Sequence, residues 1–275
     1  GLISPAGSRY EGIVYLSSVP ENNFCPDLSS LPRRDLIYVA SPNNPTGVVL
    51  NHRQLEDLVA MARRNKSIII FDAAYAMYIT DPTLPRTIYE IEGAEEVAIE
   101  MGSFSKICGF TGVRLGWSIV PEALKFEDGS SVRNDWHRVM STFFNGPSNI
   151  AQSGGLAALS DEGFAEMEEM VRYYLDNAAL IKRTFDQLEI ECYGGENAPY
   201  IWARFPGQNS WDVFEKFLNE FQLVITPGAG FGSAGTEFVR LSAFGRKADV
   251  EKAMERLINS DTLKTQNTCY STGNT

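Results

Sequence analysis

Apolar positions alternate between two spacings along this chain, and the alternation sets out its architecture. Ile13 to Ser17, Asp35 to Ala40, Ser67 to Phe71, Val97 to Met101 and Leu115 to Val120 are short apolar or β-rich runs that predict strands. The run from Ser67 is nearly continuous, as suits a parallel strand buried on both faces. Between strands, Arg53 to Asn65 carries Leu55, Leu58, Val59 and Ala62 on one helical face, whereas Glu21 to Arg34, with Pro20, Asn22, Asn23 and Pro26, reads as a loop. Asn134 to Phe144 and Ile150 to Leu159 predict helices on either side of a Gly-Pro break. Asp161 to Leu188 predicts one long helix, with Met167, Met170, Val171, Tyr174, Leu175 and Ala178 as its packing stripe. Strands are predicted again at Ile190 to Tyr193, Tyr200 to Phe205, Leu223 to Thr226 and Phe238 to Ala243, with helices at Ser210 to Phe221 and Lys247 to Asn259.

Alternation of this kind is the signature of an α/β fold with a mostly parallel sheet flanked by helices. The pattern divides into a large domain over residues 1–160 and a smaller α/β domain over residues 161–260. Residues 261–275 are polar and aperiodic and are expected to form a disordered tail. The chain opens on Gly1, close to a predicted strand, and reads as the C-terminal part of a longer one.

Composition narrows the function. Of 275 residues, 44% are hydrophobic and 21% charged, the profile of an ordinary globular protein. No apolar run approaches the roughly 18 residues that a membrane span needs. A net charge of −11 argues against nucleic acid or an anionic membrane as partner, though not against a local cationic pocket. Cys25, Cys108, Cys192 and Cys269 lack metal-ligand spacing, and His52 and His137 are far apart, so no metal site is expected. Cys108, two residues after Lys106, reads as a small packed hydrophobe rather than a nucleophile, and His52 as a residue near the start of an exposed helix.

The chemistry gathers at predicted strand ends, where open α/β sheets bind ligands. Gly102-Ser103-Phe104-Ser105-Lys106 follows the run to Met101, and Gly109, Gly112 and Arg114 come next. An amine at Lys106 can form a Schiff base with an aldehyde cofactor. Ser103, Ser105 and Arg114 can hydrogen-bond a phosphate tail, and the glycines allow close backbone approach. Alone, the stretch leaves open a minor reading as a surface Lys and Arg beside a serine turn. It does not stand alone: Ser41-Pro42-Asn43-Asn44-Pro45-Thr46-Gly47 follows Ala40, and Phe71-Asp72-Ala73-Ala74-Tyr75 follows Ile70. Farther on, Arg240 sits within the apolar run Phe238 to Ala243, where an unpaired charge is costly. It wants a carboxylate, and a buried acid of the same domain would supply one. The glycine-rich stretch Thr226 to Gly232 lacks the following helix of a dinucleotide motif and reads as a loop shaping a substrate mouth.

Together, in this order, these motifs resemble the large domain of the fold-type I aminotransferases, which bind pyridoxal 5'-phosphate (PLP). The resemblance implies that Lys106 carries the Schiff base, Asp72 pairs with the pyridine nitrogen, and Tyr75 and Asn44 donate to the ring 3-oxygen. A carboxylate at that nitrogen keeps it protonated, so the ring accepts carbanion charge. A lysine amine freed by substrate can then serve as general base and acid. With Gly-Phe-Thr-Gly-Val-Arg-Leu-Gly-Trp, Phe-Asn-Gly-Pro-Ser-Asn-Ile, Asn-Ala-Pro-Tyr-Ile-Trp and Phe-Val-Arg-Leu-Ser-Ala-Phe-Gly added, the chain from about Gly12 to Asn259 is similar to the LL-diaminopimelate aminotransferase family. That likeness implies amino transfer between LL-diaminopimelate and 2-oxoglutarate in lysine biosynthesis, in a homodimer, in the cytoplasm of a bacterium or the plastid stroma of a plant or alga. It implies that Arg240 binds the substrate carboxylate and that the long helix connects the two domains. Asn145 would reach substrate in the partner subunit, or simply end a helix. The family's N-terminal part, with its phosphate-binding helix and the aromatic stacked on the pyridine, has no counterpart here. A lysine-preferring relative, another fold-type I enzyme such as a carbon–sulfur lyase or cyclase, and a non-catalytic relative are the competing readings.

Overall fold

The computed structural model describes residues 13–25, 27–28 and 33–260. The polar tail expected beyond residue 260 and parts of the loop expected before Arg34 lie outside them. The first sheet contains β1 (Leu36–Ala40), β2 (Ile68–Asp72), β3 (Ala98–Ser103) and β4 (Gly116–Ile119), in that spatial order. β1, β2 and β3 are parallel and β4 is antiparallel to β3. The parallel strands therefore end along one edge, at Ala40, Asp72 and Ser103, and β4 begins beside that edge at Gly116.

Helix α1 (His52–Asn65) connects β1 to β2 and buries Leu55, Leu58 and Val59 against Ile69 and Phe71. Its start is reciprocally capped: Asn51 accepts from the Gln54 N–H, and Gln54 accepts from the Asn51 N–H. His52 is its first residue and faces Glu90 at 3.5 Å. After β3 comes α2 (Phe104–Ile107), a single turn capped by the Ser103 hydroxyl. Helix α3 (Val132–Val139) runs on into a π-helical turn at Met140–Phe144, and α4 is Asn149–Ala158.

The second sheet has the order β5 (Cys192–Gly194), β6 (Tyr200–Arg204), β8 (Phe238–Ser242), β7 (Thr226–Pro227), all antiparallel. Helices α6 (Ser210–Phe221) and α7 (Lys247–Ile258) cover it. The long helix α5 (Asp161–Gln187) serves both cores. Its first half puts Met167 and Val171 against Phe104, Ile107 and Tyr78; its second half puts Ala178, Ile181 and Phe185 against the second sheet. Complete burial of a side chain such as Phe185 contributes roughly 1.5–3 kcal/mol.

Three predicted strands need correction. Residues 13–17 form no strand; among the described residues they have no ladder partner. The chain instead turns at Pro20–Asn22 and buries Phe24 against Trp202 and Phe238 of the second sheet. The predicted strand at Leu223 shrinks to Thr226–Pro227, because Gln222 is left-handed and the Leu223 N–H bonds the Phe217 carbonyl at the end of α6. Likewise β5 starts late, because Glu189 is left-handed and the Ile190 N–H returns to the Phe185 carbonyl.

Candidate active site

Each predicted site residue from the first sheet lies at the edge where its parallel strands end. The loop after β1 is shaped by its own polar side chains. Asn43 Oδ1 accepts from the Thr46 hydroxyl at 3.0 Å, and the Ser41 hydroxyl accepts from the Leu50 N–H at 3.0 Å. This turns Asn44 outward while Ser41 and Thr46 stay buried. The loop seats directly on the second sheet. Gly47, at φ 70°, has no room for a side chain, since a Cβ there would meet the Gly194 Cα and the Tyr200 carbonyl at 2.8 Å each.

That contact delivers Asn44 to Arg240. Arg240 Nη1 donates to Asn44 Oδ1 at 2.6 Å, and Nη2 donates to the Thr226 hydroxyl at 3.3 Å. The guanidinium lies 4.7 Å from the Tyr200 ring centre and 5.0 Å from that of Phe231. Its Nε is buried without a partner. The buried-acid alternative for Arg240 is not what the fold builds: among the described residues no carboxylate is paired with it. Phe231 belongs to the glycine-rich loop, which thus packs against Arg240.

At the end of β2, Asp72 accepts from the Tyr38 hydroxyl at 2.9 Å and from the Ala74 N–H at 3.1 Å. Desolvation first, and then the bond to Asp72, push the Tyr38 phenol up to about 12, so it stays a donor to the carboxylate. Tyr75 is buried, and its hydroxyl lies 2.7 Å from that of Tyr200. Burial, and next the bond to Tyr200, push the Tyr75 phenol far above its ordinary value.

Lys106 lies in the single turn of α2. Its backbone carbonyl accepts from the Tyr78 hydroxyl at 2.8 Å, and its Nζ lies 5.0 Å from the Phe244 ring centre. The strand leading to it runs tightly against β4: a Cβ on Gly102 would stand 2.1 Å from the Trp117 ring. Ser103 spends its hydroxyl on the Ser105 N–H at 3.1 Å. Arg114, left-handed at φ 68°, aims Nη1 at the Ser105 hydroxyl (3.3 Å) and the Thr111 carbonyl (2.7 Å). Ser103, Ser105 and Arg114 are therefore together. Asn145 is elsewhere: it ends the π-helical turn at φ 60°, with its side chain exposed. Within one chain it joins none of these residues. Cys108 is half-buried beside Phe104 and Ile107, and burial raises its thiol, as fits packing rather than attack.

The charges make the arrangement informative. Among the described residues, Lys106, Arg114 and Arg240 have no carboxylate partner, and Asp72 has no lysine or arginine partner. Asp72, Lys106 and Arg240 are partly enclosed, where an unpaired charge is costly, while Arg114 is exposed. A ligand carrying an aldehyde, a phosphate and a protonatable ring nitrogen, joined by a second ligand with a carboxylate, would complement all of them. The residues present fit pyridoxal phosphate and an amino or oxo acid.

Residues 15–257 match the family model for aminotransferase class I and II. The chain belongs to that family. Its α/β architecture is that of the class. It is 55% identical over 262 residues to the LL-diaminopimelate aminotransferase of Protochlamydia amoebophila (strain UWE25), covering 95% of this chain and 64% of the relative. It is 50% identical to the chloroplastic LL-diaminopimelate aminotransferase of Arabidopsis thaliana, covering 90% of this chain and 54% of that one. Among solved structures, the L,L-diaminopimelate aminotransferase of Chlamydomonas reinhardtii superimposes with a TM-score of 0.87 at 54% identity, covering 91% of this chain and 62% of that chain. An aromatic aminotransferase of Pyrococcus horikoshii OT3 superimposes with a TM-score of 0.80 at 26% identity, covering 92% of this chain and 67% of that chain. The chain thus spans between about half and two-thirds of the length of its LL-diaminopimelate relatives. No helix among the described residues is long and apolar enough to cross a membrane.

Sequence motifs singled out Lys106, Asp72, Tyr75, Asn44, Arg114 and Arg240; the structure sets Tyr38, Tyr200, Phe231 and Phe244 against them, and the motifs assigned none of these four a role. Three of the four lie in apolar strand-like runs or beside them, where an aromatic reads as packing. Phe231 lies in the glycine loop, whose path depends on the second sheet.

Proposed function

We propose that the protein containing this chain is a pyridoxal-phosphate-dependent aminotransferase acting between LL-diaminopimelate and 2-oxoglutarate. The observation that carries the reading is the gathering of Lys106, Asp72, Arg114 and Arg240 around one sheet edge without protein counter-charges. The likeness to LL-diaminopimelate aminotransferases over nearly all of the chain supports the substrate pair. When bound, the cofactor supplies an aldehyde that condenses with amines and a ring that accepts an electron pair.

The chain's own residues supply the rest. Lys106 Nζ would hold the aldehyde, and its free amine would serve as general base and acid at the substrate carbon. Asp72, steadied by Tyr38, holds the proton on the ring nitrogen. Tyr75 and Asn44 hydrogen-bond the ring oxygen; Asn44 has its amide N–H2 for this while its carbonyl holds Arg240. Ser103, Ser105 and Arg114 bind the phosphate. Arg240 takes the carboxylate of donor and acceptor in turn. In the same reading, a large and a small domain meet near residue 160, the enzyme is a homodimer, and Asn145 serves the partner's site. Its compartment is the cytoplasm of a bacterium or the plastid stroma of a plant or alga.

The test is to reconstitute the protein with pyridoxal phosphate, reduce with borohydride and map the labelled peptide. An amino-donor panel containing LL-diaminopimelate and lysine would follow. Label at Lys106 and fastest transfer from LL-diaminopimelate are expected. Label elsewhere with Lys106 free would overturn the site; faster transfer from lysine would overturn the substrate.

A further inference from the structure

Tyr200 opens β6 in the second sheet, buried at 4% exposure, and is the residue on which the two halves of the site converge. Its hydroxyl meets that of Tyr75 from the first sheet at 2.7 Å. The Arg240 guanidinium lies over its ring at 4.7 Å. Its ring also packs edge-on against Phe244, 5.9 Å between centres, and Phe244 in turn lies 5.0 Å from Lys106 Nζ.

Two physical consequences follow, one for the hydroxyl and one for the ring. Two facing phenols share a single hydrogen bond, so only one of their protons lies between them. If Tyr200 donates, the Tyr75 proton is left to point away, toward a ligand. Without the Tyr200 donor, the Tyr75 oxygen loses the bond that makes it a better donor in turn. The ring acts differently. An aromatic face holds a guanidinium by its charge without using its N–H groups. Arg240 spends Nη1 on Asn44 and Nη2 on Thr226, but each of these nitrogens carries a second proton. A flat ring beneath them fixes the plane in which those protons can meet a carboxylate.

We propose that Tyr200 is a positioning residue with two separable roles: its hydroxyl commits Tyr75 to donate toward the cofactor oxygen, and its ring holds Arg240 in the plane that receives the substrate carboxylate. This rests on the aminotransferase reading above.

Tyr200→Phe keeps the ring and removes the hydroxyl; Tyr200→Leu removes both. The hydroxyl is read in the full chain loaded with pyridoxal phosphate, from the pH midpoint of its visible absorbance change. A donor to the ring oxygen favours the anionic form and holds this midpoint down. Tyr75→Phe and Tyr200→Phe should therefore both raise it, Tyr200→Phe by less, and the double variant should match Tyr75→Phe alone. A midpoint unmoved by Tyr200→Phe but moved by Tyr75→Phe overturns the hydroxyl role. Additive shifts in the double variant overturn it too, because Tyr200 would then not act through Tyr75.

The ring is read without cofactor, by calorimetric titration of the full chain with glutarate. Tyr200→Phe should bind like the parent, and Tyr200→Leu about three- to thirty-fold more weakly, the worth of one cation–π contact. Binding in Tyr200→Leu that equals the parent's, while Arg240→Ala has lost it, overturns the ring role. The conservative variant also guards against a folding artefact, since rescue by phenylalanine requires a folded site. Failure of the aminotransferase reading looks different: pyridoxal phosphate would then give no borohydride-reducible band in the parent itself. The hydroxyl role falls with it, and the glutarate arm still decides the ring role.

Discussion

Arg240 Nη1 donates to Asn44 Oδ1 across 2.6 Å, joining β8 of the second sheet to the loop that follows β1 of the first. This bond is the shortest side-chain link between the region expected to hold the cofactor and the arginine expected to hold the substrate. Asn44 offers its carbonyl oxygen to one and keeps its amide protons for the other. In the proposed function, substrate binding at Arg240 would therefore be mechanically tied to the ring oxygen's environment.

Because Arg240 has no acidic partner among the described residues, its removal should cost binding rather than fold. Arg240→Lys loses the planar fork and should weaken apparent affinity for donor and acceptor alike. A charge-assisted pair of bonds is worth roughly 1.5–3 kcal/mol, or about 10- to 150-fold. Steady-state saturation and melting temperature on the same variant check this. A large fall in melting temperature with unchanged saturation would show that Arg240 is structural.

Gly47→Ala should disturb both properties together. Its Cβ would press on the Gly194 Cα and the Tyr200 carbonyl at 2.8 Å, at a φ of 70° that alanine rarely adopts. Overpacking of this kind costs roughly 1–3 kcal/mol. Since it lifts the loop bearing Asn44 away from β8, a weakened grip on glutarate should accompany the lower melting temperature. Destabilisation with unchanged carboxylate affinity would mean the loop's seating does not govern Arg240.

Asp72→Asn should leave cofactor bound yet cut transamination by orders of magnitude, because a neutral amide no longer holds the pyridinium proton. Tyr38→Phe, which strips one hydrogen bond from that carboxylate, should have the milder effect, within about tenfold for a bond to a charged group near solvent. Single-turnover rates on both variants test the order. Asn at position 72 retaining most of the parent's rate would remove Asp72 from its role.

Glu100 predicts a pH dependence of stability away from the site. It is buried in β3 and accepts from the Thr87 hydroxyl at 2.5 Å and the Ile88 N–H at 3.1 Å. Burial raises its carboxyl above the ordinary range, outweighing those two bonds. A raised folded-state value means that the folded chain holds the proton more tightly than the unfolded one. Its favourable contribution is thus fully present at acid pH, below the unfolded value, and is lost as pH rises through the folded one. Glu100→Gln, which keeps an oxygen acceptor without the charge, should raise the melting temperature at pH 8 and gain progressively less toward pH 4. A gain that grows toward acid would contradict this.

Asn145 tests the subunit arrangement. Its exposed position away from the other site residues of its own chain is what a residue serving a partner requires. Mixing Lys106→Ala subunits with Asn145→Ala subunits should restore part of the activity, because hybrid dimers carry one site with both lesions and one with neither. Exchange of subunits without recovery would exclude action across the interface.

Local sequence determined much of this protein. The apolar spacing marked β2, α5 and α6 to within a residue or so, since each element is long enough for its periodicity to outweigh local noise. Lys106 and Asp72 could be singled out because each adjoins the end of a parallel strand, and parallel strands bring their ends to one edge, whereas Arg114 precedes β4, which runs antiparallel and starts beside that edge. Strands at residues 13–17 and near Leu223 were misread, because a strand exists only if a partner edge is available, and pairing is not a local property. Tertiary structure alone decided which residues meet across the sheets. Asn44 and Arg240 are 196 positions apart, and Tyr75 and Tyr200 are 125 apart. Their hydrogen bonds depend on how one loop seats on a strand of another sheet, and no spacing along the chain encodes that. Tyr200 looked like core because it is core; only the fold reveals that its hydroxyl meets Tyr75 and that Arg240 lies over its ring.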